Sequence, residues 1–245
     1  MQPTATDTIL ITGGASGIGF ALAKRFSASG ANVVICGRRE DQLAKARAEC
    51  PKLNTMVADV SSAAGRQRLA EEAVKAFPSL NILINNAGIQ NRPPPLTQPQ
   101  LWELHQAELE TNLHAPMHLS MLLTSHLLKQ KQAAIMNVSS GLAFVPIAFM
   151  PTYCATKAAL HSFTLSLRHQ FKGTSIRVVE IVPPMVQTDL GGKGLHDEGA
   201  PLEAYADSAF GEIVKGSLEF GYSFSEKTRL ASRAELDGMF SAMNR

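Results

Sequence analysis

The chain has 245 residues, 45% of them hydrophobic, enough to bury a full core, and 23 Lys and Arg against 21 Asp and Glu leave a net charge of only +2. Without a basic run, neither nucleic acid nor an anionic membrane is an expected partner, and no apolar run approaches the roughly 18 residues that cross a bilayer. Cys36, Cys50 and Cys154 lack a Cys-x-x-Cys or metal-type spacing and fit free thiols in a reducing compartment; with a polar stretch at 1–7 that has no basic start, a cytoplasmic protein is expected.

Short apolar runs bounded by turn residues alternate with longer stretches whose apolar residues recur every three or four positions. A first strand over 8–11 runs into Thr12-Gly13-Gly14-Ala15-Ser16-Gly17-Ile18-Gly19 and then into a helix over 17–29. Glycines permit a tight turn and close backbone approach, while a helix N-terminus offers free N–H groups to a pyrophosphate. Such turns are also plain connectors, but strand before and helix after favour a dinucleotide site. A strand over 33–36, ending Cys36-Gly37-Arg38-Arg39, leads to a helix over 39–49; a strand over 55–58 and a helix over 63–77 follow. After a strand over 80–84, Arg92-Pro93-Pro94-Pro95 reads as a loop before one long helix over 98–130, in which Pro116 signals a local distortion. His114 and His118 share a face of that helix, yet no third ligand is evident; they read as surface or interface histidines, and no metal is expected.

A strand over 134–138 precedes a helix over 152–171 that carries Tyr153 and Lys157 one turn apart on one face. An ammonium near a phenol favours the phenolate and lowers its pKa from about 10, making an acid or base usable near neutrality. Alone, the pair equally describes an aromatic packed under an aliphatic stem. Beyond a strand over 176–182, Gly191-Gly192-Lys193-Gly194 and a helix over 202–215 form a mobile, substrate-covering segment at about 185–216, because open α/β sheets bind ligands beyond the carboxyl ends of their strands. A short strand lies within 217–222, and 232–243 reads as a terminal helix with Ser232 as N-cap and Glu235 completing a capping box. Strict β-α alternation predicts a parallel sheet covered on both faces, an α/β three-layer, doubly wound Rossmann-type single domain. Leu142, Phe144, Val145, Phe149 and Met185 flank the expected site and suggest an apolar pocket, while Cys154 reads as packing.

The T-G-x-x-x-G-x-G turn at 12–19, Asn85-Asn86-Ala87-Gly88 and Tyr153-x-x-x-Lys157, in this order and at these separations, resemble the short-chain dehydrogenase/reductase family in its single-domain branch, over nearly the whole chain. The resemblance implies a cofactor held by Thr12, Gly13, Ser16, Gly17, Ile18 and Gly19, with Asp59 and Val60 at the adenine and Asn86, Ala87 and Gly88 beneath the adenosine ribose, Asn85 bracing the central strands. Gly37 stands at the family's usual aspartate position and Arg38 and Arg39 follow it, so no carboxylate repels a 2′-phosphate and guanidiniums are there to bind one: NADP(H) is expected ahead of NAD(H). Asp59 serves equally as a residue of a helix N-cap region, since Ser61 and Ser62 follow.

Family spacing places Ser140 opposite a substrate carbonyl, Tyr153 as the proton donor, and Lys157 both tuning that phenol and bonding the nicotinamide ribose. Asn112, in Glu110-Thr111-Asn112-Leu113, matches the asparagine thought to hold a water that joins Lys157 to solvent. Pro183-Pro184-Met185-Val186-Gln187-Thr188 resembles Pro-Gly-x-x-x-Thr, giving Pro183 and Thr188 a place at the carboxamide, although Pro184 stands where the family has glycine. The terminal helix is similar to that of a small subgroup of mainly bacterial, poorly assigned reductases, and the long helix and the Tyr153 helix are surfaces that usually build dimers or tetramers. The implied activity is hydride transfer between NADP(H) and a small-molecule carbonyl or secondary alcohol, reduction favoured. A non-catalytic NADP(H) redox sensor is the alternative, but it has no need of Asn112, Ser140, Tyr153 and Lys157 together. A sugar-nucleotide epimerase or dehydratase needs a larger C-terminal region.

Overall fold

Aliphatic and β-branched runs form the strands of one sheet in the computed structural model, which describes residues 6–245. They are β1 (Thr8–Thr12), β2 (Asn32–Gly37), β3 (Asn54–Val57), β4 (Leu80–Asn85), β5 (Ala133–Val138), β6 (Ile176–Ile181) and β7 (Glu219–Phe220). Every pairing is parallel, in the order β3-β2-β1-β4-β5-β6-β7. The chain runs outward from β1 to β3 and returns to place β4 beside β1, which opens a crevice at the carboxyl ends of those two strands.

Side chains leave each strand alternately to two cores. Ile9, Ile11, Val33 and Ile35 meet α1 (Gly17–Ala28), α2 (Glu40–Glu49) and α7 (Leu202–Lys215) on one face. Leu10, Val34 and Cys36 meet α3 (Ala63–Ala76), α5 (Ala115–Leu127) and α6 (Pro151–Gln170) on the other. This is the doubly wound, three-layer α/β sheet expected from the alternation, in a single domain. Of the polar stretch at 1–7, expected to carry no targeting signal, residues 1–5 lie outside the described residues.

The long helix expected over 98–130 is instead three segments: α4 (Trp102–Leu109), a π-helical stretch Glu110–His114, and α5. Pro116 has no N–H for the carbonyl of Asn112, so α-helical spacing fails there, and the Ala115 amide reaches back five residues to Glu110. The first turn is lost to the proline loop, where the Gln100 amide donates to the carbonyls of Pro94, Pro95 and Gln98. The terminal helix, α9 (Arg233–Met243), has the Ser232–Glu235 capping box in place. Before it lies α8 (Phe224–Leu230), which the spacing of apolar residues does not announce. Among the described residues no helix is long and apolar enough to cross a membrane.

Candidate active site

The turn after β1 is held by β4. The Thr12 hydroxyl accepts from the amides of Asn86 and Ala87 at 3.0 Å each, and the Asn86 side chain donates to the carbonyls of Thr12 (2.9 Å) and Gly13 (3.2 Å). Two glycines are required by this proximity. A Cβ on Gly13, whose φ is +64°, would meet the Ala87 Cα at 2.9 Å, and one on Gly19 would strike the Asn86 amide nitrogen and the Gly13 carbonyl. The first turn of α1 begins at Gly17 with the exposed Ser16 hydroxyl capping nothing, so that side chain does not occupy the helix's first backbone N–H groups. Gly17 lies beside Thr188, from beyond β6, so both ends of the expected cofactor path border one crevice. A dinucleotide suits these residues: they form a backbone cradle that side chains would fill.

At the far end, Gly37 has no neighbour within 3.9 Å of a built Cβ, and Arg38 and Arg39 are exposed at the start of α2. Asp59 accepts from the Ser61 hydroxyl (2.7 Å) and amide (2.9 Å); burial pushes its carboxyl up, but these bonds, with Arg38 and Arg66 nearby, hold it below its ordinary range. The cap of α3 is Ser62, not Asp59, and accepts from the Gly65 amide at 2.9 Å. Val60 is buried. Asn85 braces the central strands as expected, its amide donating to Asn137 Oδ1 at 2.9 Å.

Ser140, just beyond β5, Tyr153 and Lys157, on α6, and Asn112, in the π-helical stretch, are all buried. The Ser140 Oγ accepts from the Leu142 amide at 3.1 Å, and its hydroxyl proton is not spent on that bond. Burial pushes the Tyr153 phenol above its ordinary pKa, and the Ser140 hydrogen bond works against the rise without cancelling it. The Lys157 ammonium sits 5.7 Å from the Tyr153 ring centroid and donates to the Val138 carbonyl at 2.8 Å. The amine is turned to the strand end, and desolvation outweighs every opposing influence on the phenol. Burial also pushes Lys157 down to about 8, with Glu180 opposing. Asn112, 1% exposed, spends its side chain on Ile89, accepting from the amide and donating to the carbonyl at 2.8 Å each, with Thr156 at 3.4 Å. It therefore staples the loop after β4, and the π-helical stretch turns it inward to do so. Gly88 passes between Asn112 and Lys157, a built Cβ lying 3.5 Å and 3.9 Å from them.

Pro183 is buried and its carbonyl accepts from the Gly141 amide at 2.9 Å. The segment after Pro184 folds back, with Val186 bridging Ala200, His196 Nε2 at 3.2 Å from Gln90 Oε1, and Gly191 against the Gln90 carbonyl. Of the apolar residues expected around the site, Val145 is buried, Leu142 packs near Tyr153, Phe144 lies 4.7 Å from His161, and Phe149 and Met185 are exposed. His114 and His118 have separate partners, Glu110 and Arg66. Sequence reasoning passed over Glu180 and His161, whose only signal was a carboxylate inside a largely apolar strand.

Residues 7–199 match the family model described as short chain dehydrogenase. A Bacillus subtilis protein named uncharacterized oxidoreductase DltE is 46% identical over 97% of this chain and 96% of its own. Among solved structures, a short-chain dehydrogenase from Sphingobium yanoikuyae in complex with NADPH superposes with a TM-score of 0.79 at 25% identity, covering 96% of this chain and 93% of that one. A 3-ketoacyl-(acyl-carrier-protein) reductase from Brucella melitensis complexed with NADH gives 0.78 at 27% identity, covering 88% and 96%.

Proposed function

The chain belongs to the short-chain dehydrogenase family, and on that premise we propose that it is an NADP(H)-dependent oxidoreductase acting between the nicotinamide and a small carbonyl or secondary alcohol, in the direction of reduction. The observation that carries this reading is the burial together of Ser140, Tyr153 and Lys157, the last two one helical turn apart on α6. When bound, the nicotinamide supplies the hydride. The remaining work falls to the chain's own groups. Ser140 donates to the substrate oxygen as negative charge gathers there, and Tyr153 delivers the proton that makes it a hydroxyl. Burial keeps the phenol protonated well above neutrality, which suits an acid in reduction, and the positive charge of Lys157 steadies the phenolate left behind.

The backbone cradle at 13–19 receives the pyrophosphate and Thr188 the carboxamide side, while the exposed Arg38 and Arg39, with no carboxylate at Gly37, favour the 2′-phosphate. The segment at about 185–216 closes over the substrate, its His196–Gln90 contact joining it to the loop after β4. Trp102, Met121 and Leu165 are exposed on the outer helices, and a cavity of about 440 Å³ lined by Leu96, Trp102, Leu109 and Ala155 opens there, a face suited to dimer or tetramer assembly in the cytoplasm. Screening NADPH and NADH against a carbonyl panel by nicotinamide absorbance tests the whole reading. Oxidation of NADPH in preference to NADH is expected; folded protein that binds NADPH and oxidises none with any carbonyl would leave the sensor reading instead.

A further inference from the structure

One carboxylate lies wholly inside the sheet and has no part in the roles above. Glu180, in β6, is 0% exposed; the Ser139 hydroxyl donates to its Oε1 at 2.6 Å, and His161 Nδ1 lies 3.0 Å and 2.8 Å from its two oxygens. Ser139 immediately precedes Ser140, and His161 follows Lys157 by one turn as Lys157 follows Tyr153, so 153, 157 and 161 share one face of α6. A carboxylate buried this deeply is costly unless charges and donors meet it. Here the donors come from the two elements that carry the proposed catalytic groups.

His161, Glu180 and Glu219 also bring possible metal-ligand atoms within 4.8 Å of one another. Arg168 at 3.3 Å and Arg229 at 3.6 Å already hold Glu219, however, so the local negative charge is met without a cation. The charged groups facing His161 are Glu180 from β6, Glu219 from β7 and Arg168 from α6, and the Glu180 hydrogen bond chiefly raises the imidazole and favours its cationic form. Glu180 is also the charge that opposes the desolvation of Lys157.

We propose that Glu180 is a positioning residue: its carboxylate ties the Ser139–Ser140 strand end to α6 through His161, one turn beyond Lys157, whose amine is bonded to the Val138 carbonyl at that same strand end. This deepens the reading of Ser140, Tyr153 and Lys157 given above and rests on it. The decisive measurement is the titration of Lys157 in the folded, cofactor-free protein, followed by NMR of ¹³C-labelled lysine Cε. The wild-type midpoint is expected near 8. Glu180→Gln removes the charge but keeps the shape and should move that midpoint down by roughly one unit. His161→Asn removes the imidazole that engages both Glu180 oxygens, leaves that charge less shared and should move the midpoint up. In turnover, kcat of Glu180→Gln should fall with its alkaline limb displaced in the same direction as the midpoint.

A midpoint unmoved in both variants overturns the proposal. If Glu180→Gln does not fold, His161→Asn decides alone, and an unmoved or lowered midpoint there overturns it. Shifted midpoints in a protein that turns over no carbonyl would sink the redox reading while supporting the role of Glu180.

Discussion

Asn112→Ala offers a test that needs no substrate. The Asn112 side chain is the hydrogen-bond partner of both the Ile89 amide and the Ile89 carbonyl, at 2.8 Å each. Truncation to a methyl group strands that donor and acceptor together, beside a cavity at a site only 1% exposed. A stranded polar group costs about 1–3 kcal/mol; Ile89 is half-buried, so the lower part of that range applies to each, giving about 2–4 kcal/mol in total. For a chain of this size each kcal/mol lowers the melting temperature by about 2–4 °C, so a fall of roughly 4–16 °C is expected in a thermal melt. Asn112→Asp sharpens the test: it keeps an acceptor for the Ile89 amide but turns a carboxylate on the Ile89 carbonyl, and it should be no more stable than the alanine variant. NADPH affinity, read by fluorescence, should weaken in both, because the stapled loop carries Gly88 past Lys157. A melting temperature within about one degree of wild type for Asn112→Ala would refute the staple, since so small a change means water replaces both bonds freely.

Three further outcomes are expected. Tyr153→Phe should lower kcat by roughly 10²–10⁴-fold while NADPH binding, measured by fluorescence, stays within a few-fold; retained turnover would remove the phenol from the mechanism. Arg38→Asp should shift the NADPH/NADH ratio of kcat/KM by on the order of 10–100-fold toward NADH, and an unchanged ratio would show that the arginine does not read the phosphate. Lys157→Met should abolish turnover yet raise the melting temperature at pH 7. The folded chain gives up the Lys157 proton near 8, against 10.5 for an ordinary lysine, so the unfolded chain binds more protons between those values and the residue's contribution to stability rises with pH across that window. Its handicap below pH 8 is about 3 kcal/mol, so the advantage of the methionine variant should be fullest at neutrality and fade toward pH 10.5, as paired melts would show.

What could be read from residues alone was whatever depends on local pattern. The strands were legible because each is a short apolar run between turn residues, and the glycine turn because strand and helix flank it. The capping box at Ser232 and Glu235 was legible for the same reason, since both of its bonds span three residues. The break between α4 and α5 was half legible: Pro116 marked the distortion, but the missing donor acts four residues upstream, so the widened turn centres on Asn112. The orientation of Asn112 toward Ile89, and of Lys157 toward the Val138 carbonyl, depends on elements far apart in sequence and had no local signal. The same holds for Glu180, whose partners Ser139, just beyond β5, and His161, on α6, are distant from it in sequence. The burial of the Tyr153 phenol likewise follows from packing around Met150 and Leu142, not from its spacing to Lys157.

The bonds joining Thr12 to Asn86 and Ala87 bear on how readily this protein can change its nucleotide. They fix the turn after β1 and the loop after β4 as one preassembled shelf, so that part of a dinucleotide meets groups already in place, with little ordering entropy to overcome. Arg38 and Arg39, by contrast, stand exposed on the rim, and fixing each side chain on a phosphate costs about 0.5–1.5 kcal/mol. On the proposed reading, selectivity is lodged in a peripheral, independently variable patch, while affinity is lodged in rigid backbone. A lineage carrying this fold can exchange one nucleotide for the other by altering a rim residue, without rebuilding the shelf or unsettling the chemistry at Tyr153.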